Sequence, residues 1–406
     1  LLGLVLCAEV TPIIQPNAGR ATAMWRASSA AARHPDGEAV IFTGAPPFSP
    51  AILAISEADI IQFEVPVMPV VAGVDLGGTA VNYTLVDSHE RFLIEKLCEH
   101  PSRSTEGPDI CLQQIADGLK IALELAGVAQ KEVIYVGLDT PGPASSTGVL
   151  SAKGSTNFVH PNWAGFDIRA GLEAKLGLPV AYLNDGNAAA LWGHFNIFGA
   201  NSQETSVSAI IGTGLGGGVI LGGNDVKGRK GFGGELGHVL LPYQSIANVP
   251  GIVPECNCGR TGDLESVCSL TSISKTYLPY FFAKYPGHEL SKIGDIKKAA
   301  KLVRSYAEKG DALSLEIFRA QAHGLGLFFD EMVNTFDPDA LIVGGGVVET
   351  GEEFRKWFLN EIRVGMPVQR EEQADIPIYV MPNGDTAGAR GAALEALKLA
   401  RHQHLM

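Results

Sequence analysis

An apolar run that ends in Asp-Leu-Gly-Gly-Thr, VVAGVDLGGT, and the alternating apolar and polar positions of VNYTLVD predict a β-hairpin over residues 70–87 with a glycine turn at Gly77-Gly78. An amphipathic stretch predicts a helix over 107–126, followed by a strand over 133–139 and a Pro/Gly turn at TPGPAS. A helix over 167–177 leads into the strand PVAYLND, which ends at Asp185 directly before the helical run NAAALWGHF. The second half repeats this plan. Strand TSVSAIIGT, a glycine turn and strand GGGVILGG precede helices near 295–308 and 312–335. Strand ALIVGGG, a helix over 352–359, strand IPIYVMP and a last helix, TAGARGAALEALKLA, complete it. Two α/β halves of this kind pack face to face around a cleft where both glycine turns reach one nucleotide.

Residues 1–67 stand outside the pattern. They contain no lysine, and no acidic residue lies between Glu9 and Asp36. Arg20, Arg26 and Arg33 allow a transit-peptide reading. The favoured expectation is an extension, disordered or non-native, because MPVVAGVD starts at Met68 as a natural beginning would. The expected domains are 68–183, joined by a C-terminal helix at 386–401, and 184–385.

Composition narrows the function. With 406 residues, 46% of them apolar and 18% charged, the chain can bury two cores. A formal charge of −13 argues against a nucleic-acid partner, whose phosphates require clustered Lys and Arg. No apolar stretch is long enough to span a bilayer. Six scattered cysteines form no secreted disulfide framework, and LLGLVLC lacks a basic n-region, so a cytoplasmic location is expected.

Candidate chemistry follows the glycines. In Asp75-Leu76-Gly77-Gly78-Thr79 the paired glycines free backbone N–H groups for phosphate oxygens, Thr79 adds a hydroxyl and Asp75 can hold Mg²⁺. Gly212-Thr213-Gly214-Leu215-Gly216-Gly217-Gly218 occupies the matching turn of the second half; a strand follows it, so it is neither a dinucleotide fingerprint nor a Walker loop. Gly344-Gly345-Gly346 can lie against an adenine ring, offer helix N–H groups to phosphate, or serve close packing. Asn184-Asp185 ends a strand on the cleft side. Asp185 suits the base that takes a proton from an alcohol during phosphoryl transfer, or it caps the next helix. Glu235 and His238, three apart, fit hydroxyl recognition from one turn. His238, Cys256 and Cys258 also form a metal knuckle over 238–268, with Asp263 or Cys268 available as the fourth ligand.

With these residues in view, the chain resembles the ROK family (repressors, open reading frames and sugar kinases), in particular its glucokinase-like members. The resemblance covers about residues 70–400 and rests on GVDLGGT, TPGP followed by TGVL, Asn157, LNDGNAAAL, IIGTGLGGGVI, GELGH, CNCGRTGDLE and IVGGG. It implies a duplicated actin-like ATPase (ribonuclease H-like) fold and ATP- and Mg²⁺-dependent hexose phosphorylation, with glucose as the default substrate. Fructose, mannose, allose and N-acetylmannosamine are the alternatives. Asp185 would be the base, and Asn157, Asn184, Glu235, His238 and Glu265 would bind the sugar. Zinc would sit on His238, Cys256 and Cys258. The third cysteine of the family's Cys-x-Cys-Gly-x-x-Gly-Cys-x-Glu pattern is Asp263 here, and LPYQSIANVPGIVPE is longer than the family norm. Dimers and tetramers are frequent in the family. A ROK-type repressor is the competing reading; three arginines and six acidic residues before Met68 argue against its DNA-binding module.

Overall fold

A computed structural model describes residues 68–153, 157–367 and 370–406, so the expectation for residues 1–67 lies outside them. Strands β1 (Val70–Leu76), β2 (Ala80–Asp87) and β3 (Cys98–Pro101) come first, then helix α1 (Pro108–Ala126) and strand β4 (Val133–Thr140). Helix α2 (Ile168–Leu176), strand β5 (Val180–Asn184) and helix α3 (Asp185–Phe198) follow. The second half opens with β6 (Ser206–Ile211), β7 (Leu215–Leu221) and β8 (Asn224–Asp225). It continues through short helices α4 (Leu264–Cys268), α5 (Leu270–Ser272) and α6 (Leu278–Lys284). Helices α7 (Ile296–Ala307) and α8 (Ala312–Phe336), strand β9 (Ala340–Gly344), helix α9 (Glu352–Gly365), strand β10 (Ile378–Val380) and helix α10 (Ala387–His402) complete the order.

The two sheets share one plan. The first runs β3-β2-β1-β4-β5 and the second β8-β7-β6-β9-β10. In each, the central strand pairs antiparallel with its hairpin partner and parallel with the strand on its other side. The expected duplication is therefore present at the level of topology. β1 is buried on both faces, as its unbroken apolar run requires. Cys111, Ile115, Leu119 and Ala122 of α1 pack with Tyr83 and Leu85 of β2 in the first core. Phe328 and Phe329 of α8 and Phe358 of α9 join Val207 and Val343 in the second.

Helix α10 lies on the first sheet at a distance only glycine permits. A Cβ on Gly73 or Gly137 would stand 1.9 Å from the carbonyl oxygen of Ala389 or Ala392. Its Gly391 meets Ala188 of α3, and Ala190 of α3 meets Gly218 of β7, so α10 and α3 join the two sheets.

Two differences from the sequence reading affect the site. Asp185 is the first residue of α3 rather than the last of a strand, because Asn184 takes the cap. The segment between His238 and Ile296 holds three short helices that carry too few turns to show a periodicity. Among the described residues, no helix is long and apolar enough to cross a membrane.

Candidate active site

Parallel pairing of β1, β4 and β5 brings three carboxylates to one end of the first sheet. Asp75 is paired with Asp139 across β1 and β4, and Asn184 with Thr140 across β4 and β5, so Asp185 follows at the same edge. Asn82, opposite Asp75 on β2, donates from Nδ2 to Asp75 Oδ2 at 3.1 Å. Asp139 is fully buried, and neither of its oxygens receives an N–H or O–H hydrogen bond from the described residues. Burial raises Asp75, and burial with the charges of Asp75 and Asp185 holds Asp139 well above the usual carboxylate range.

Asp185 is open to water yet deep in the cleft. Its Oδ1 accepts from the Gly186 N–H at 2.7 Å, a donor shared with Asn184 Oδ1 at 2.9 Å. Desolvation pushes it up to about 7, and the neighbouring Asp75 and Glu235 reinforce this against the Gly186 hydrogen bond. A carboxylate tuned near neutrality is ionised for part of the time and can accept a proton with little free-energy cost.

The two glycine turns flank this carboxylate. Gly78 O accepts from Ser102 Oγ (3.0 Å) and Ser104 Oγ (2.9 Å), while Gly212 O and Thr213 O accept from the N–H groups of Leu270 and Thr271 on α5. Their carbonyls are thereby tied down, and the N–H groups of Gly78, Thr79, Thr213 and Gly214 donate to no described residue. Gly186 touches β7, the strand that leaves the second turn: a Cβ there would be 2.7 Å from Gly217 O. Beyond that turn lies a cavity of about 260 Å³ lined by Ile211, Gly212, Thr213, Leu270, Ile273, Lys301, Arg304, Gly346 and Val347 among others. Arg304 Nη1 donates to Gly346 O at its rim. The third glycine cluster divides between two of the expected roles, close packing and the lining of a cavity. Gly344 packs on Met381, Gly345 on Ile211 O, and Gly346 alone lines the cavity; none stands at a helix N-terminus.

On the opposite side, Glu235 opens a 3₁₀ turn, Leu236–His238, that presents Glu235 and His238 together as expected. Asn187 Nδ2 donates to Gly233 O at 3.0 Å and steadies the loop before Glu235. The Cα of Gly142 faces Glu235 and Asn184: a Cβ there would be 3.3 Å from Glu235 Oε1 and 3.4 Å from Asn184 Nδ2. Burial raises Glu235; His238 counteracts this and Glu265 adds to it. Glu265 Oε2 accepts from Leu215 N–H at 3.0 Å, and Cys256 Sγ lies 3.4 Å from its Oε1, so this carboxylate joins the glycine turn to the cysteine segment. Asn157 lies against the first turn, its Oδ1 2.6 Å from where a Cβ on Gly78 would be.

The ligand atoms of His238, Cys256, Cys258 and Asp263 lie within 4.8 Å of one another. His238 Nδ1 is 3.0 Å from Asp263 Oδ2, and Cys258 Sγ is 3.4 Å from the same oxygen. Burial raises Asp263, but hydrogen bonds from Ser266 N–H, His238 and Cys256 outweigh it and hold the carboxyl below its usual range. Cys268 is buried elsewhere, with Sγ on Gln321 O, so Asp263 is the fourth member. Two thiols, an imidazole and a carboxylate fit Zn²⁺. Asp75, beside the orphaned oxygens of Asp139, offers the hard oxygen donors that Mg²⁺ requires.

The family model described as "ROK family" matches residues 71–398. The chain belongs to the ROK family. A glucokinase of Halalkalibacterium halodurans is 30% identical over 290 residues, covering 70% of this chain and 82% of the relative. The ROK hexokinase of Thermus thermophilus superposes with a TM-score of 0.64 at 29% identity, covering 82% of this chain and 99% of that one. A ROK family glucokinase from Streptomyces griseus in complex with glucose and AMPPNP gives 0.61 at 27% identity, covering 81% and 99%. The actin-like ATPase fold of ROK kinases is therefore the fold of this chain.

Sequence reasoning missed Asp139 and Gly142 as parts of the cleft. Asp139 carried a legible signal, a carboxylate inside the otherwise apolar strand VIYVGLDT, whereas Gly142 enters only through tertiary contacts.

Proposed function

We propose that this protein transfers the γ-phosphoryl group of ATP to a hexose hydroxyl, with glucose as the first candidate and Asp185 as the base. The observation that carries the reading is Asp185 beside Asp75 and Glu235, its carboxyl pushed up to about 7, together with two glycine turns whose N–H groups at Gly78, Thr79, Thr213 and Gly214 donate to no described residue. Asp185 takes the proton of the attacking hydroxyl as its oxygen bonds to phosphorus and ADP leaves. The N–H groups of Gly78, Thr79, Thr213 and Gly214 cradle the phosphates, and the adenine occupies the cavity beside Gly346. Asn157, Asn184, Glu235, His238 and Glu265 orient the sugar hydroxyls.

When bound, Mg²⁺ at Asp75 offsets phosphate charge. Zinc on His238, Cys256, Cys258 and Asp263 would occupy the imidazole Nδ1 and leave Nε2 for the sugar. The cytoplasm suits both thiols. A coupled ADP-release assay over a panel of hexoses and N-acetylhexosamines tests the reading. Turnover with at least one sugar is expected; no ADP release with any of them, together with salt-sensitive operator binding in a gel shift, would replace it by the repressor reading.

A further inference from the structure

We propose that Asp139 is, together with Asp75, a direct ligand of a divalent cation that the protein holds before any nucleotide arrives. The inference rests on the phosphoryl-transfer reading of the cleft and adds a second carboxylate to its metal site. Asp75 and Asp139 are partners in the parallel pairing of β1 and β4, so both side chains leave the same face of the sheet. Asp139 is 0% exposed, its oxygens receive no hydrogen bond from an N–H or a hydroxyl of the described residues, and the polar group its carboxyl meets is the carboxyl of Asp75. A buried carboxylate left in that state is costly unless a proton or a cation compensates it.

No protein cation does so. No Lys, Arg or His of the described residues forms an ion pair with Asp75 or Asp139, and the groups that face the pair are Asn82, Asp185 and the backbone of Gly388. Gly388, in the first turn of α10, marks where the two carboxylates converge. A Cβ there would lie 3.0 Å from Asp75 Oδ2 and 3.2 Å from Asp139 Oδ2, a point that any larger residue would fill. Asp75 is only partly buried, which leaves the pair open on the cleft side. Two hard oxygen ligands with room for water on one side match Mg²⁺ or Mn²⁺, which keep several waters and use one or two carboxylates. Because the compensating charge is needed with or without nucleotide, the cation does not depend on ATP to bind.

The test is a Mn²⁺ titration followed by electron paramagnetic resonance on zinc-loaded, nucleotide-free full chain, with Mg²⁺ as competitor. The parent is expected to bind about one Mn²⁺ at this site, and Asp139→Asn to weaken it by at least about tenfold, equivalent to roughly 1.4 kcal/mol. Equal binding by parent and variant would overturn the proposal and leave Asp139 as a proton carrier beside Asp75. Absence of millimolar Mn²⁺ binding by the parent overturns it without any variant. Should Asp139→Asn not fold, Asp139→Ser carries the same comparison. ADP release is measured separately, so a missing kinase activity with intact Mn²⁺ binding marks failure of the functional reading instead.

Discussion

Nδ1 of His238 lies 3.0 Å from Oδ2 of Asp263, a buried carboxylate whose other oxygen accepts from Ser266 N–H at 2.9 Å and caps α4. One side chain thus binds the knuckle and starts the helix that carries Glu265. Asp263→Ala is expected to lower zinc from about one per chain to well below one and to reduce Tm through the lost cap, worth roughly 1 kcal/mol. Asp263→Asn keeps a capping oxygen but no charge, so it should lose zinc with a smaller fall in Tm. Elemental analysis and thermal denaturation separate the two effects.

Asp185→Asn removes the proton acceptor and retains the shape. Hexose-dependent kcat should fall by about 10²–10⁴-fold, while KM for the sugar changes little. Activity surviving at the parental level would remove Asp185 from the base role.

The pH profile follows from the same group. Asp185 must be ionised to act, and its carboxyl sits near 7, so kcat/KM for the parent should rise with pH and level off above about 7. A profile already flat from pH 5 contradicts this.

Stability carries the opposite sign. In the unfolded chain Asp185 ionises near the ordinary aspartate value of 3.8, and in the folded protein only near 7. The folded state therefore binds more protons between those values, and stability is lost as pH rises through this window. Asp185→Asn should melt higher than the cation-free parent at pH 8, and the difference should shrink towards pH 4. Thermal denaturation in EDTA at both pH values measures it.

Arg304 rims the cavity proposed to take the adenine and donates to Gly346 O. Arg304→Ala should raise KM for ATP by about fivefold, the equivalent of roughly 1 kcal/mol, and leave KM for the hexose unchanged. Steady-state kinetics with each substrate varied in turn checks the split.

The hairpins, the glycine turns and the long helices were legible because each obeys a local rule. The apolar run of β1, the alternation in β2 and the apolar periodicity of α1, α7 and α8 are properties of neighbouring residues. Asp185, Glu235, His238 and the Cys256-Cys258 pair were also readable, since chemistry of that kind stands out at the end of a strand or in a tight turn. The boundary at Asn184-Asp185 was misread because whether a residue ends a strand or opens a helix depends on which side chain takes the Gly186 N–H. Which of the three glycines in Gly344–Gly346 pack and which lines a cavity was not legible for a similar reason: Met381 and Ile211, which meet Gly344 and Gly345, are distant in the chain.

The sequence alone determined that the chain is a duplicated α/β protein with two glycine turns and a carboxylate at a strand end. Local patterns encode those features, and duplication makes them recur. Tertiary structure alone decided that Asp139 stands opposite Asp75, that Asp263 rather than Cys268 meets His238, and that Gly186, next to Asp185, packs against β7. These are contacts between residues far apart in the chain. They arise from strand register and from glycines that let α10 and α3 approach, and such distances are fixed only when the two sheets have packed.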